Sequence, residues 1–267
     1  MVTAHHRPAL GPALAVQGRV VFALLMREVL TRYGRHNIGF LWLFVEPMLF
    51  TLGVTVLWSL TKSLHGSTIP ITAFALTGYS SVLLWRNMPG RCINAVEPNR
   101  SLFYHRHVRL PDIFAARLLL ELGGATMSFI LLGVIFCGLD LLEPPEDLLT
   151  VMTGWGLLAW FGMALALLLG TLSLRSELVE KLWHPFSYLT FPLSGAAFMV
   201  DALPRDVQDL ALYLPMVDGV EMVRDGYFGS YAHAHYDAGY LVAVSLILSL
   251  LGLSLLMLSR NLVTVDG

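Results

Sequence analysis

This 267-residue chain has little charge and lacks the short motifs that mark several common enzyme classes. Only 13% of its residues are charged, whereas soluble domains usually have roughly 25%. No Gly-Lys dipeptide occurs, which excludes a Walker A nucleotide loop, and H-E-x-x-H, G-x-S-x-G and Cys-x-x-Cys are absent as well. If the chain performs active transport, its energy must therefore come from a partner chain or an ion gradient.

Cysteine is also scarce, with only Cys92 and Cys137 in the chain. We expect the two thiols near opposite ends of the bilayer, so a disulfide between them is not predicted. Residues 1–17 contain no continuous apolar core, and we expect no cleaved signal peptide.

Long apolar runs are what the chain has in abundance. Hydrophobic residues make up 56% of the sequence, and the mean hydropathy is +0.67. A membrane helix needs roughly 20 mostly apolar residues. The sequence therefore predicts an all-α, polytopic membrane protein with residues 1–37 on the cytoplasmic side and a six-helix membrane domain over 38–267. The predicted spans are about 38–61, 69–88, 113–137, 149–174, 182–200 and 238–259, and Pro185 and Pro192 predict a kink or break in the fifth.

The distribution of basic residues predicts the orientation. Six spans place both termini on one side, and loops rich in Lys and Arg face the cytoplasm. The proposed inner segments contain Arg7, Arg19, Arg27, Arg32, Arg35, Arg91, Arg100, Arg106, Arg109, Arg175, Lys181 and Arg260, whereas the outer ones contain Lys62, Arg205 and Arg224. We therefore expect an N-in, C-in topology.

An amphipathic helix over 18–35 leads into the first span. One face is polar (Arg27, Glu28, Thr31, Arg32 and Arg35), and the other is apolar (Phe22, Leu25, Met26, Val29 and Tyr33). Such a helix is expected in the headgroup plane, with its arginines in water. It is either a gate at the membrane surface, with Arg27, Glu28, Arg32 and Arg35 at the interface, or a passive anchor.

Charges inside the predicted spans have both structural and functional interpretations. Glu46 precedes Pro47 in the first span, where it either pairs with an arginine in a cavity or accepts backbone donors freed by the proline. Arg117 and Glu121 are spaced i, i+4 in the third span, and we expect them to pair with each other.

The loop 98–111 mixes basic, aromatic and apolar residues between prolines. A short helix that docks into a partner groove would explain the apolar side chains, and a basic loop resting on anionic headgroups is the alternative. The candidate docking residues are Asn99, Arg100, Leu102, Phe103, Tyr104, Arg106 and Arg109. On the outer side, the pattern of 201–237 predicts two short amphipathic helices that dip back into the membrane.

Aromatic and charged side chains in and near the spans are candidates for the lining of a transport pathway. The candidates are Trp42, Glu46, Trp58, Tyr79, Trp85, Arg86, Arg91 and Tyr188, together with Trp155 and Trp160. Interfacial aromatic belts and snorkelling arginines are the alternative interpretation of the same residues. The first and fifth spans, which contain Pro47, Pro185 and Pro192, are expected to line it. His105/His107 and His233/His235 lie on opposite sides without cysteine partners, and no metal site is predicted.

Several motifs together resemble a known family. Leu25-Met26-Arg27-Glu28, Arg32-Tyr33-Gly34, Gly39-Phe40-Leu41-Trp42 and Glu46-Pro47 resemble the N-terminal signature of ABC-2 type exporter permeases. Asn94-Ala95-Val96-Glu97-Pro98-Asn99, Leu102-Phe103, Ala116-Arg117-Leu118-Leu119-Leu120-Glu121, Leu203-Pro204, Leu214-Pro215, Val220-Glu221 and Arg224-Asp225 resemble the capsular polysaccharide export permeases of Gram-negative bacteria. Leu214-Pro215 stands where the wider superfamily often has Asn-Pro.

The resemblance implies a non-enzymatic permease of the inner membrane. It implies a homodimer bound to two copies of a separate ATPase that holds ATP and Mg²⁺, with no cofactor in this chain. The implied substrate is a lipid-linked, usually acidic capsule polysaccharide, passed from the cytoplasm to periplasmic and outer-membrane export proteins.

Other functions stay open at this point. A related ABC-2 permease could carry O-antigen, teichoic acid, a lipid or a drug. A membrane glycosyltransferase or acyltransferase would need an Asp-x-Asp or a cluster of Asp and His, and neither occurs. A scaffold or receptor would leave the amphipathic helix and Glu46-Pro47 without a purpose. Nothing in the composition indicates nucleic-acid binding.

Overall fold

The computed structural model describes residues 10–34, 41–60, 70–104 and 108–259, and every regular element in these ranges is a helix. The predicted all-α class is confirmed. The α-helices are α1 (Leu10–Tyr33), α2 (Trp42–Leu60), α3 (Ile71–Ile93), α4 (Leu110–Gly138), α5 (Leu148–Ser173), α6 (Leu178–Leu193), α7 (Arg205–Leu212), α8 (Pro215–Phe228) and α9 (Ala238–Leu258). Short 3₁₀ helices span Glu97–Tyr104, Val200–Ala202 and Gly229–Tyr231.

Four helices in the described ranges are long and apolar enough to cross a membrane: α2, α4, α5 and α9. They coincide with the first, third, fourth and sixth predicted spans. The helix α3 has sufficient length at 23 residues, but polar side chains such as Ser80, Ser81 and Arg86 interrupt its apolar run. The helix α6 has only 16 residues. Six spans therefore remain a prediction.

The core forms where α3 and α5 pack face to face. Trp85 and Met88 of α3 are buried against α5, where Gly162 leaves room for them. A Cβ atom at Gly162 would lie 2.8 Å from the Trp85 Cα, so only glycine permits this approach. Small residues are common at such contacts between membrane helices because they let the backbones come close. Cys92 also lies in this contact, and both cysteines are free thiols, as predicted.

The fifth predicted span differs from the observed helix. We predicted a span over 182–200, but α6 begins earlier, at Leu178, and ends at Leu193, directly after Pro192. The chain then leaves the helical path, because Ser194 caps α6 and Gly195 has a φ of +81°. That positive φ favours glycine, which has no Cβ to clash.

Arg224 of α8 binds the non-helical chain after α6. Its guanidinium donates to the carbonyl oxygens of Gly195 (2.6 Å), Ala196 (2.9 Å) and Phe198 (2.5 Å). The side chain is fully buried. Buried carbonyl groups need hydrogen-bond donors. Arg224 supplies the donors that the backbone N–H groups of a further helical turn would otherwise have supplied.

Two carboxylates on α8 bind other irregular segments in the same way. Glu221 accepts from the backbone N–H groups of Val200 (3.4 Å) and His235 (3.3 Å). Asp218 accepts from the N–H of Asp237 at 2.8 Å, where α9 begins. The two helices predicted in 201–237 are present as α7 and α8, and α8 packs against α3, α5 and α9. Their depth in the membrane remains a prediction.

Candidate functional site

The polar face of α1 points into the protein. Arg27, Glu28 and Arg32 are half-buried, whereas Phe22 and Leu30 are 64% and 56% exposed. The expectation that the arginines lie in water is therefore wrong for Arg27 and Arg32. The reason is that neighbouring elements supply partners for Arg27, Glu28 and Arg32, which a helical wheel cannot reveal.

Glu28 is the first centre of an ion-pair network on this face. Its Oε1 lies 3.3 Å from the Arg32 Nε and 3.2 Å from the Arg117 Nε of α4. These three side chains are only 9–14% exposed. Ion pairs with so little solvent around them are screened far less than surface pairs.

Glu121 of α4 is the second centre. It binds the Arg32 guanidinium of α1 and lies 2.9 Å from the Arg91 Nε of α3. The expected pair between Arg117 and Glu121 is therefore wrong, because α1 and α3 supply closer partners. Arg117 instead pairs with Glu28, and its Nη1 donates to the carbonyl oxygens of Arg91 (2.7 Å) and Asn94 (2.9 Å).

A cavity of about 320 Å³ opens beside this network. Four arginines surround it, and the two carboxylates of the network neutralise them only in part, which leaves a net positive charge. A concave surface with a net positive lining concentrates anions. The lining residues are Arg27, Glu28, Thr31, Arg32, Gly90, Arg91, Asn94, Pro98, Asn99 and Arg117.

A second cavity, of about 270 Å³, shares Arg91 with the first and continues between α2, α3 and α4. Glu46 and Pro47, which we predicted from the sequence to lie at a transport pathway, line this cavity. Glu46 is exposed and shares this space with Arg86, Arg91 and Glu121. The remaining lining residues are Leu43, Phe50, Leu83, Asn87, Gly124 and Ala125.

Arg86 lies at this second cavity among neutral groups. Its Nε donates to the Ser187 carbonyl oxygen at 3.0 Å, and its guanidinium lies 5.0 Å from the ring centre of Tyr188 and 5.2 Å from that of Phe191. None of the ion pairs within 10–34, 41–60, 70–104 and 108–259 includes Arg86. Within these ranges, rings and a carbonyl group are what its charge contacts.

The candidate pathway aromatics separate into three environments. Trp42 and Tyr188 are 51% and 69% exposed, at the surface of α2 and α6. Trp58 and Tyr79 pack in one cluster with their ring centres 5.6 Å apart. Trp85 is 1% exposed in the core, so its assignment to a pathway is wrong.

The two remaining tryptophans bond to hydroxyl groups of neighbouring helices. The Trp155 indole N–H donates to Thr126 at 3.0 Å, and that of Trp160 donates to Ser249 at 3.1 Å. These contacts join α5 to α4 and α9.

The predicted docking loop contains the 3₁₀ helix Glu97–Tyr104, and its residues face different ways. Asn99 is 3% exposed, and its Oδ1 accepts from the Arg27 Nη1 at 2.5 Å. Asn99 therefore faces α1 and presents no surface to a partner. Leu102 and Phe103 are half-buried against the core, while Arg100 and Arg109 are exposed. Arg35 and Arg106 lie outside the described residues.

Asp147 and Asp225 accept hydrogen bonds that change the pKa of Asp147 and of Tyr236, respectively. Asp147 caps α5 and accepts from the Thr150 hydroxyl at 2.5 Å, which lowers the pKa of Asp147. Tyr236 donates to Asp225 at 2.8 Å, and burial, followed by this bond, raises the pKa of Tyr236. Among the residues that the structure describes, no group of three His, Cys, Asp or Glu could hold a metal ion.

Sequence reasoning missed that Arg117 and Glu121 belong to the cavity network. The i, i+4 spacing on α4 suggested a closed local pair. The useful signal was their position: two charges near one end of an apolar span imply polar neighbours on other helices.

Comparison with known proteins agrees with this architecture. Residues 19–228 match the family model described as ABC-2 type transporter. The chain is 42% identical over 250 residues to the capsule polysaccharide export inner-membrane protein CtrC of Neisseria meningitidis serogroup B, with 94% of each chain covered.

Two further relatives have related names. The capsule polysaccharide export inner-membrane protein BexB of Haemophilus influenzae is 43% identical over 241 residues, which cover 90% of this chain and 91% of BexB. The polysialic acid transport protein KpsM of Escherichia coli is 26% identical over 244 residues, which cover 90% and 93%. Because the family model matches most of this chain and these relatives align with it almost end to end, the chain belongs to the ABC-2 type transporter family.

Proposed function

We propose that this chain is the membrane subunit of an ATP-driven exporter of capsular polysaccharide. The observation that carries the proposal is its 42% identity, across 94% of both chains, to a protein named for capsule polysaccharide export. The substrate is a lipid-linked, acidic polymer that moves from the cytoplasm to the periplasm.

The charge of the first cavity supports an acidic cargo. Its lining beside α1 has a net positive charge, whereas the two arginines and two glutamates that line the second cavity balance each other. Exposed aromatic rings such as Tyr188 offer flat faces on which sugar rings can stack. A related cargo, such as O-antigen, teichoic acid, a lipid or a drug, is the second candidate, because it would use the same positive entry.

The energy comes from a separate ATPase that binds ATP and Mg²⁺. The sequence contains no Gly-Lys dipeptide and hence no Walker A loop. We assign contact with this ATPase to the coupling segment, residues 98–111. Its exposed Arg100 and Arg109 and its half-buried Leu102 and Phe103 support this assignment.

The chain works as a homodimer in the bacterial inner membrane, N-in and C-in. Six spans in one chain form half a pathway, so the pathway lies at a twofold interface. The helices α2 and α6, with exposed Trp42, Glu46 and Tyr188, line it. Periplasmic and outer-membrane export proteins receive the polymer.

Complementation with purification tests this proposal. The chain is expressed together with the ATPase gene of its own operon in an encapsulated Gram-negative strain that lacks its export permease and ATPase. We expect surface polysaccharide to return and a Walker-type ATPase to co-purify in mild detergent. Alanines at Leu102, Phe103 and Tyr104 should abolish export. Purification without any nucleotide-dependent partner would overturn the exporter assignment, and export of a different polymer or lipid would favour the second candidate.

A further inference from the structure

The coupling segment is attached to α1 at both of its ends. Near the start, Asn99 accepts from the Arg27 Nη1 at 2.5 Å. At the other end, the Gln17 amide donates to the Asp112 carboxylate. The second Asp112 oxygen accepts from the backbone N–H of Arg109 at 2.8 Å. Arg27 of α1 therefore holds the start of the segment, and Gln17 of α1 holds its other end.

The spacing of these contacts along α1 makes the attachment rigid. Gln17 and Arg27 are ten residues apart on one helix, which corresponds to about 15 Å at 1.5 Å per residue. Asn99 and Asp112 are 3% and 5% exposed and their donors are half-buried, so water competes for these bonds less than it would at the surface. A single bond would let the segment pivot on α1, whereas two bonds this far apart fix both position and direction.

The same helix continues into the cavity network. Glu28 and Arg32, within five residues of Arg27, pair with Arg117 and Glu121 of α4. Displacement of α1 would therefore pull on the carboxylates and arginines that line the first cavity. The structure thus contains a continuous chain of polar contacts from the coupling segment, through α1, to that cavity.

We propose that Gln17 and Arg27 are positioning residues that make α1 move together with the coupling segment. The movement that ATPase closure causes is then transmitted through α1 to the first cavity, and the membrane spans move after it. This inference rests on the proposed function, because it assumes that the coupling segment receives the motion of an ATPase.

Ordinary structural roles would have a different signature. If the two bonds only hold the fold together, their loss lowers yield, ATPase binding and ATP hydrolysis along with export. If they transmit motion, their loss leaves assembly and hydrolysis in place and lowers export. The ratio of export to ATP hydrolysis therefore separates the two roles.

The test compares variants of the full transporter with its ATPase. Gln17→Leu and Arg27→Gln each remove one attachment, and the double variant removes both. Arg19→Gln is the matched control, because Arg19 lies on the same helix and is exposed. Each variant is assayed for co-purified ATPase, for ATP hydrolysis in nanodiscs and for surface polysaccharide per cell.

We expect the double variant to bind the ATPase and hydrolyse ATP within about twofold of the parent, as judged in nanodiscs. If the two bonds carry the coupling between the ATPase and the cavity, export per ATP should fall about tenfold, which is within the usual range for coupling between distant sites. The Arg19→Gln control should match the parent.

A reciprocal exchange provides the rescue. Gln17→Glu alone places two carboxylates together and should uncouple export. Adding Asp112→Asn restores one donor and one acceptor, since the new asparagine amide on α4 can donate to the new glutamate on α1 and still accept from the Arg109 N–H. We expect the exchanged pair to regain export per ATP.

Three outcomes decide the matter. Uncoupling in the double variant with rescue by the exchange supports the inference. Unchanged export per ATP, or a parallel loss of assembly, hydrolysis and export that the exchange does not reverse, overturns it. A parent transporter that binds no ATPase overturns the proposed function itself, which is a separate result.

Discussion

At the scale of single residues, one oxygen of Glu28 serves two arginines. Removing its charge would leave Arg32 and Arg117 close together with little solvent, since their side chains are 14% and 9% exposed. Two like charges in such surroundings repel, and each loses a bond that water cannot fully replace.

We therefore expect Glu28→Gln to lower the free energy of unfolding by about 2 kcal/mol, the usual contribution of a bond between charged groups. Fluorescence-monitored unfolding in mild detergent measures this change in the free energy of unfolding. Glu177→Gln is the control, because its pair with Lys181 is 86% and 71% exposed. Such surface pairs contribute little. Equal effects of the two variants would contradict the prediction.

The Asp147 carboxylate makes a pH prediction at the same scale. Its pKa lies below the ordinary value because the Thr150 hydroxyl and backbone N–H groups bind the charged form. A depressed pKa stabilises the folded protein above the ordinary pKa, and this contribution disappears as the pH falls through the lower value.

We expect the parent to lose thermal stability from about pH 4 downward more steeply than Asp147→Asn does. Asparagine keeps the cap on α5 but cannot titrate. Melting temperatures over an acid series give the comparison, and identical slopes would show that Asp147 does not contribute.

Residue roles were the least predictable feature from sequence. Arg117 and Glu121 suit an i, i+4 pair, yet the folded chain gives them different partners because α1 and α3 approach α4. Trp85 has the same side chain as Trp42, but one is in the core and the other at the surface. Composition cannot distinguish these environments, since lipid and protein interior are equally apolar.

At the scale of helices, the contact between α3 and α5 depends on Gly162. A Cβ there would lie 2.8 Å from the backbone of Trp85, which cannot move without shifting α3. A Cβ atom at Gly156, on the same helix, would meet no atom of another part of the chain within 4 Å.

We expect Gly162→Ala to destabilise the protein by about 1–3 kcal/mol, the usual cost of overpacking a core. Gly156→Ala should be neutral or slightly stabilising, because alanine favours helix more than glycine does. Thermal unfolding of the two variants tests both expectations, and a stable Gly162→Ala protein would mean that α3 and α5 can separate without penalty.

The sequence predicted helices well where their length and apolar content agree. The helices α2, α4, α5 and α9 coincide with predicted spans because about 20 apolar residues have few other stable structures in a bilayer. The fifth span was misplaced because its apolar run continues past Pro192, while the backbone turns at Gly195. Arg224, far along the chain, makes that turn possible, and no local pattern reveals it.

At the scale of the whole molecule, the proposed orientation places α1 on the cytoplasmic side of the membrane and α7 on the periplasmic side. It rests on the excess of Lys and Arg in the proposed cytoplasmic segments.

Cysteine labelling checks this orientation. In a background with Cys92→Ala and Cys137→Ser, we expect a membrane-impermeant maleimide to label Asp209→Cys in intact spheroplasts. Arg19→Cys should react only after permeabilisation. Both positions are exposed, so access to solvent within the chain is matched. The opposite pattern would reverse the topology and with it the proposed direction of transport.

The buried charges of α8 have a consequence for how such transporters diversify. Asp218, Glu221 and Arg224 hold their neighbours through main-chain N–H and carbonyl groups, which every residue except proline supplies in full. The exposed positions of the segments 194–200 and 232–237, such as Ala197 and His233, can therefore exchange side chains over evolutionary time and keep the same path, while Gly195, with its positive φ, and the three charges stay fixed. Adaptation to a new cargo can use these exposed positions without rebuilding the helices around them.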